Sequence, residues 1–378
     1  MSSKENGVKF IVSLIVIVIA ALLATTFFFP SEPVESTVPQ RVKPNVELTA
    51  ESNGRQLAQT KRTYAGSILP IEPAVGLDPK KVSLGAKLYN DPILSEDNTI
   101  SCATCHRLDA GGTNGLPMSV GIAGGIERIN VPTVFNSSLN FRQFWDGRAK
   151  TLEEQVTGPL ENPLEMGSNW PSVISRLKAS SDYVEQFSGS YDEGITQETV
   201  SHAISEFERS LVTPDSDFDL YIKGDETALS QQQLAGLKLF EELGCISCHQ
   251  GQGIGGNMFQ RMGAKLDYFA GRDDLTEFDM GRFNATGDEF DRHRFKVPSL
   301  RNIALTAPYF HDSSAATLED AIQTMVRYQL GRRLKDTDIQ SIKAFLESLT
   351  GKYNGTKLGT KPSTEFDAES DDQSENEL

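Results

Sequence analysis

The sequence predicts a mainly α-helical protein of two domains preceded by a transmembrane helix, and three observations carry that prediction. A pentapeptide of the form C-x-x-C-H occurs twice, Cys102-Ala103-Thr104-Cys105-His106 and Cys245-Ile246-Ser247-Cys248-His249, about 140 residues apart. Apolar residues recur at helical spacing while strand signals are few. An unbroken apolar run, FIVSLIVIVIAALLATTFFF, fills positions 10–29.

The chain has 378 residues, enough for two sizeable cores, one per pentapeptide. Its net charge of −16 argues against nucleic acid, whose phosphates would repel it. The same charge favours a cationic or neutral partner such as a basic electron carrier.

Taken in order, residues 1–30 read as a membrane anchor. Twenty apolar residues at about 1.5 Å rise span roughly 30 Å of hydrocarbon, and Lys4 and Lys9 hold the N-terminal end in the cytoplasm. A cleaved signal peptide is the alternative, although Ala21-Leu22-Leu23-Ala24 fits a cleavage site poorly. On either reading the remainder is exported. Residues 31–62, with Pro33, Pro39 and Pro44 among polar residues, form a flexible linker.

A first domain is expected over 63–215 and a second over 216–350, divided near Pro214-Asp215-Ser216-Asp217. Val82, Leu84, Ala86 and Leu88 predict a short helix ended by Asp91-Pro92. Thr196 to Leu211 carries Val200, Ala203, Ile204, Phe207 and Leu211 on one face of another. Ser230 with Gln233 makes a capping box ahead of Leu234, Leu237 and Phe240. Thr317 caps a helix bearing Leu318, Ile322 and Met325, and Thr337 with Gln340 caps one bearing Ile339, Ile342, Phe345 and Leu346. From 351 to 378 a polar, acidic tail reads as disordered. Gly251 to Gly256 formally matches G-x-G-x-x-G, but it follows a histidine rather than a strand, so a dinucleotide site is rejected.

C-x-x-C-H is the attachment pattern of c-type haem: two thiols bond the porphyrin vinyls and the histidine ligates iron. The two copies use all four cysteines and two of the five histidines. Paired disulfides or a four-cysteine zinc site would not require a histidine after each second cysteine, and thioredoxin-like pairs normally occur once, near a βαβ pattern. Two covalently bound haems c are therefore expected, with Cys102, Cys105 and His106 holding one and Cys245, Cys248 and His249 the other.

The phrases around these motifs, LGAKLYNDPILSEDNTISCATCH, INVPTVFNSSLNFRQFWDGRAKTLEEQ, FKVPSLRNIALTAPYFHDS and YQLG, resemble the bacterial di-haem cytochrome c peroxidase family, which includes the MauG-type enzymes. The resemblance covers about residues 64–350. It implies two cytochrome c-like helical domains, a peroxidatic haem on His106 and an electron-transfer haem on His249 with Met325 as its second ligand. A thioether there favours ferrous iron and raises the potential. MauG-type enzymes carry Tyr at that position, and here Tyr328 lies one turn on. The resemblance further assigns Gln155 and Glu165 to the distal peroxide pocket, Trp145 to the path between the haems, and Asn130, Thr306 and Pro308 to a calcium ion whose shell waters complete. Arg128, Arg148 and Arg301 are candidates to pair with haem propionates.

Many relatives place a histidine in the loop after the first motif, where it caps the peroxidatic iron. Here Ile122 stands at that position and cannot ligate, so the oxidised iron is expected to be open or to hold water. Met118 is the nearest rival ligand. The implied function is reduction of hydrogen peroxide to water in the periplasm, at the inner membrane, with electrons from a small cytochrome c, a cupredoxin or quinol, in a possible homodimer. The alternatives are MauG-type oxidation of a partner protein's residues and non-catalytic electron transfer.

Overall fold

The computed structural model describes residues 67–359. The apolar run and linker expected at 1–62 lie outside the described residues. Among those described, no helix is long and apolar enough to cross a membrane.

The chain is mainly helical, as expected. In order the helices are α1 (Pro79–Asn90), α2 (Cys102–Cys105), α3 (Leu152–Glu161), α4 (Trp170–Ala179), α5 (Ser181–Ser188), α6 (Gln197–Ser210), α7 (Asp217–Ile222), α8 (Gln231–Glu242), α9 (Phe283–Thr286), α10 (Leu318–Tyr328) and α11 (Asp336–Glu347). Three antiparallel ribbons pair β1 (Ser119–Val120) with β2 (Ile126–Glu127), β3 (Phe259–Arg261) with β4 (Arg294–Lys296), and β5 (Lys352–Tyr353) with β6 (Thr356–Lys357).

Local chemistry explains most helix starts. The Asp78 carboxylate accepts the Lys80 N–H ahead of Pro79, which opens α1 with its φ already helical. Thr196 and Ser230 close reciprocal caps on α6 and α8, and Thr317 accepts the Asp320 N–H at α10. The expected cap at Thr337 is not there. Helix α11 begins at Asp336, with Lys335 in the capping position and no side-chain bond. Asp336 and Asp338 supply negative charge to its first turn, which complements the helix dipole without a hydroxyl cap.

Glycine sets the closest packing. A Cβ on Gly85 of α1 would stand 1.9 Å from the Ala203 carbonyl oxygen of α6, and one on Gly236 of α8 would stand 1.8 Å from that of Ser341 in α11. Only hydrogen in place of Cβ lets each helix pair cross this closely. One core then gathers Leu84, Leu88, Val156, Leu177, Phe187, Val200 and Ile204, and another Phe218, Phe240, Ile322, Ile339, Ile342, Phe345 and Leu349. A smaller cluster of Met262, Tyr268, Phe269 and Phe295 has Trp145, Phe310, Met325 and Tyr328 packed against it.

The chain also carries an internal repeat. Pro132, Asn136, Phe144 and Thr151 recur 166 positions later as Pro298, Asn302, Phe310 and Thr317, and His311 stands opposite Trp145. Backbone geometry repeats with them: Asn136 and Asn302 have φ of 60° and 61°, Phe144 and Phe310 of 68° and 70°. Isolated bridges Gln143–Ala149 and Tyr309–Ala315 close the same turn in both halves.

The segment expected to be disordered from 351 instead continues through β5 and β6. Tyr353 sets its ring edge-on to Phe135 at 5.2 Å, and Leu358 packs in the same cluster, so apolar burial orders residues 351–359.

Candidate active site

Each C-x-x-C-H copy is presented by a short helical turn followed by a loop that folds back onto the histidine. The Nδ1–H of His106 faces the Gly112 carbonyl at 3.4 Å, and that of His249 donates to the Ile254 carbonyl at 3.2 Å. This arrangement leaves each Nε2 bare, the form that binds a metal. Burial reinforces it, lowering the proton affinity of His106 and pushing His249 down to about 4.

The four thiols are free and do not converge on one another in a metal-binding cluster among the described residues. Burial pushes Cys102 up to about 12 and Cys245 up to about 11. Without convergence of the four thiols, a four-cysteine zinc site is set aside.

A cavity of about 650 Å³ opens against Cys105 and His106. That volume lies within the roughly 300–1,000 Å³ of cofactor pockets. Lys296, 7% exposed, lines the cavity and forms no ion pair among the described residues; burial pushes its ammonium down to about 8. A buried cation without an anion, beside paired thiols and a bare imidazole nitrogen, fits the propionates, vinyls and iron of haem c.

Helix α3 and the turn after it supply the cavity's acid–base groups. Gln155 and Glu165 both line it, together with Pro159, Asn162 and Arg148. The Asn162 amide donates to Glu165 Oε1 at 2.9 Å. Desolvation raises the proton affinity of Glu165 and Glu127 raises it further, while the Asn162 hydrogen bond and then Arg148 oppose them. In the repeat, Pro159 occupies the place that Met325 takes in the second half. Proline offers no side-chain donor atom, so α3 puts no ligand where α10 puts a thioether.

Met325 does not share the core face of Ile322. It packs instead in the cluster with Tyr268 and Phe295 that Trp145 also joins, while Tyr328 sets its ring edge-on to Tyr268 at 5.1 Å. Trp145 thus belongs both to the cavity wall and to the cluster that holds Met325. Its Nε1–H donates to the Asn130 carbonyl at 2.9 Å, which fixes the indole.

Asn130 and Pro308 come together. The Asn130 amide spans the Pro308 and Phe310 carbonyls at 2.6 and 2.9 Å, and the Thr306 hydroxyl donates to Ile303. Turned over, the Asn130 amide would set its oxygen beside the Pro308 carbonyl, the kind of pairing a hard cation takes.

His202, His293, His311, Met118 and Ile122 are all absent from the cavity wall. His202 bonds Tyr191, His293 bonds the Asp279 carbonyl, and His311 bonds the Asp279 carboxylate at 3.0 Å while stacking on Phe295. Ile122 packs on Gly167 instead. Arg301 is not available to a propionate: 1% exposed, it pairs with Asp219 at 2.8 Å and donates to the Gln252 and Leu69 carbonyls.

Three cavity-wall residues, Glu127, Glu208 and Lys296, have no flag in the sequence as read above. Glu208 sits in the apolar-faced helix α6 with one carboxylate oxygen unpartnered, and burial pushes it up to about 8. Lys296 falls within the quoted FKVPS phrase, and the 166-residue repeat sets it opposite Asn130, the one signal that would have singled it out.

Two attachment sites in one helical chain define a two-haem c-type cytochrome, and the cavity at His106 holds acid–base groups. The chain belongs to the di-haem cytochrome c peroxidase family. The family model described as di-haem cytochrome c peroxidase matches residues 79–227. The chain is 48% identical over 287 residues to the cytochrome c peroxidase Ccp of Escherichia coli (strain K12), a match covering 76% of this chain and 61% of that protein. It thus spans under two thirds of that relative's length. It is 43% identical over 302 residues to the cytochrome c551 peroxidase of Nitrosomonas europaea, covering 79% of this chain and 89% of that one. A crystal structure of a MauG-like protein associated with microbial copper homeostasis aligns with a TM-score of 0.65 at 29% identity, covering 75% of this chain and 93% of its own.

Proposed function

We propose that this protein reduces hydrogen peroxide to water at the His106 haem, taking two electrons and two protons per peroxide. The observation that carries the reading is the cavity wall that sets Gln155 and Glu165 in the same space as His106. His106 and His249 would each hold a haem c, which would supply an iron able to take up and release single electrons.

Glu165 takes the proton of the bound oxygen and returns one to the departing oxygen, a role suited to a carboxyl whose proton affinity burial has raised. Gln155 donates a hydrogen bond to the departing oxygen. Met325 would hold the His249 haem as its second ligand, and Trp145 would relay electrons between the two sites. Pro159 on the cavity wall, with Ile122 and Met118 away from it, supports an oxidised enzyme that reacts without prior reduction.

The further parts of the reading rest on sequence and on family membership. Residues 63–215 and 216–350 are one haem domain each. Calcium lies at Asn130, Thr306 and Pro308. The protein is exported and held at the inner membrane by residues 10–29, and a small cytochrome, a cupredoxin or quinol donates the electrons, in a homodimer.

The test is peroxide turnover by the fully oxidised and the one-electron-reduced protein, with absorption spectra of both. Immediate reaction of the oxidised form, with a high-spin haem, supports the reading. Two low-spin haems and no reaction in either state would replace it with electron transfer alone.

A further inference from the structure

Glu127 has no part in the scheme above, yet it is 6% exposed and its carboxylate is on the cavity wall. It sits on β2, where strand alternation turns it inward while its neighbour Ile126 faces out. The ribbon is pinned at two points. Its Ser119, paired with Glu127, meets Cys105, and its turn grips the loop that carries Glu165: the Ile122 N–H donates to the Glu165 carbonyl at 2.9 Å. Gly167 follows at φ +57°, and a Cβ there would stand 2.1 Å from Ile122 Cδ1, so the isoleucine seats against bare backbone.

Between the two carboxylates lies one amide. Asn162 Nδ2 is 2.9 Å from Glu127 Oε2 and 2.9 Å from Glu165 Oε1. Its orientation is not interchangeable, because Asn162 Oδ1 accepts the Leu164 N–H at 3.0 Å, which leaves the two N–H groups for the two acids. We propose that Glu127 is a positioning residue for peroxide reduction: by sharing the Asn162 amide with Glu165 it aims the Glu165 carboxyl into the cavity. Arg148 is the charged group that faces Glu165 with the opposite sign, and Cys105 is the neighbour on the haem side.

This inference rests on the catalytic role of Glu165, and the experiment separates the two. On the di-haem protein, the pH profile of kcat/KM is measured for wild type, Glu127→Gln, Glu127→Asp and Glu165→Gln, alongside infrared spectra of the protonated carboxyls. The acid limb reports the base of the free enzyme. Removing the like charge lowers the proton affinity of Glu165, so in Glu127→Gln the acid limb and the Glu165 carboxyl band both move to lower pH by about one unit, roughly tenfold in proton affinity. Glu127→Asp keeps the charge and leaves the limb in place.

An unmoved limb in Glu127→Gln, with turnover lost in Glu165→Gln, overturns the inference and spares the reading of the site. Unchanged turnover in Glu165→Gln overturns both. A measurement without any change at 127 covers a Glu127 variant that fails to fold: the infrared difference between wild type and Glu165→Gln contains a second, shifted carboxylate band from Glu127, and a difference with one carboxyl only rejects the pairing.

Discussion

Replacing Glu165 with glutamine tests the proton-carrier role proposed above and changes almost nothing else. The side chains match in shape, and the Asn162 N–H that now reaches Glu165 Oε1 at 2.9 Å finds an amide oxygen in the same place. Gln155, Arg148 and Trp145 remain in the cavity wall. The lost function is proton transfer by a positioned group, which contributes about 10²–10⁴-fold. At about 1.4 kcal/mol per decade that is roughly 3–5 kcal/mol of transition-state stabilisation. The assay is stopped-flow peroxide consumption by the di-haem protein, with its spectra and thermal midpoint confirming an intact fold. A loss of kcat/KM below about tenfold, in a protein with unchanged haem spectra, would refute the assignment of Glu165 as the proton carrier.

Three further outcomes follow from packing and charge. Arg301→Met strands the buried Asp219 carboxylate and frees the Gln252 and Leu69 carbonyls, so thermal unfolding shows a loss of about 3–5 kcal/mol. Gly236→Ala drives a methyl into the Ser341 carbonyl of α11 and lowers stability by about 1–3 kcal/mol or more in a denaturant titration, whereas Gly189→Ala, whose Cβ would meet nothing nearer than the Glu185 carbonyl oxygen at 3.5 Å, lacks that clash. Glu208, at about 8 in the fold against an ordinary 4.5, binds its proton more tightly folded than unfolded. Its contribution is full below about 4.5 and is lost as pH rises through about 8, so Glu208→Gln flattens the decline of thermal midpoint across that window.

The haem attachment was legible in the sequence because its chemistry is local: two thiols and a ligand within five residues need no fold to be recognised. The helices were legible for a related reason, since a cap and an apolar stripe lie within one or two turns, as at Thr196, Ser230 and Thr317. Helix α11 escaped at its start because acidic residues stabilise its first turn where a hydroxyl cap was expected. The tail escaped because Tyr353 is ordered by Phe135, more than two hundred positions earlier. The internal repeat was present in the text as VPTVFN and VPSLRN, and it pairs Pro159 with Met325.

What only the tertiary structure decided is which charges share a cavity and how far water is excluded from them. Glu127 reads as a surface residue until β2 brings it to Asn162, 35 positions on. Arg301 reads as a propionate partner until Leu69, 232 positions away, and Asp219 enclose it. Lys296 and Glu208 have ordinary sequence neighbours, and their displaced proton affinities come from burial beside the cavity. Covalent and helical signals are carried by bonded or near neighbours, whereas desolvation and charge pairing depend on distances that close only when segments far apart in the chain fold together.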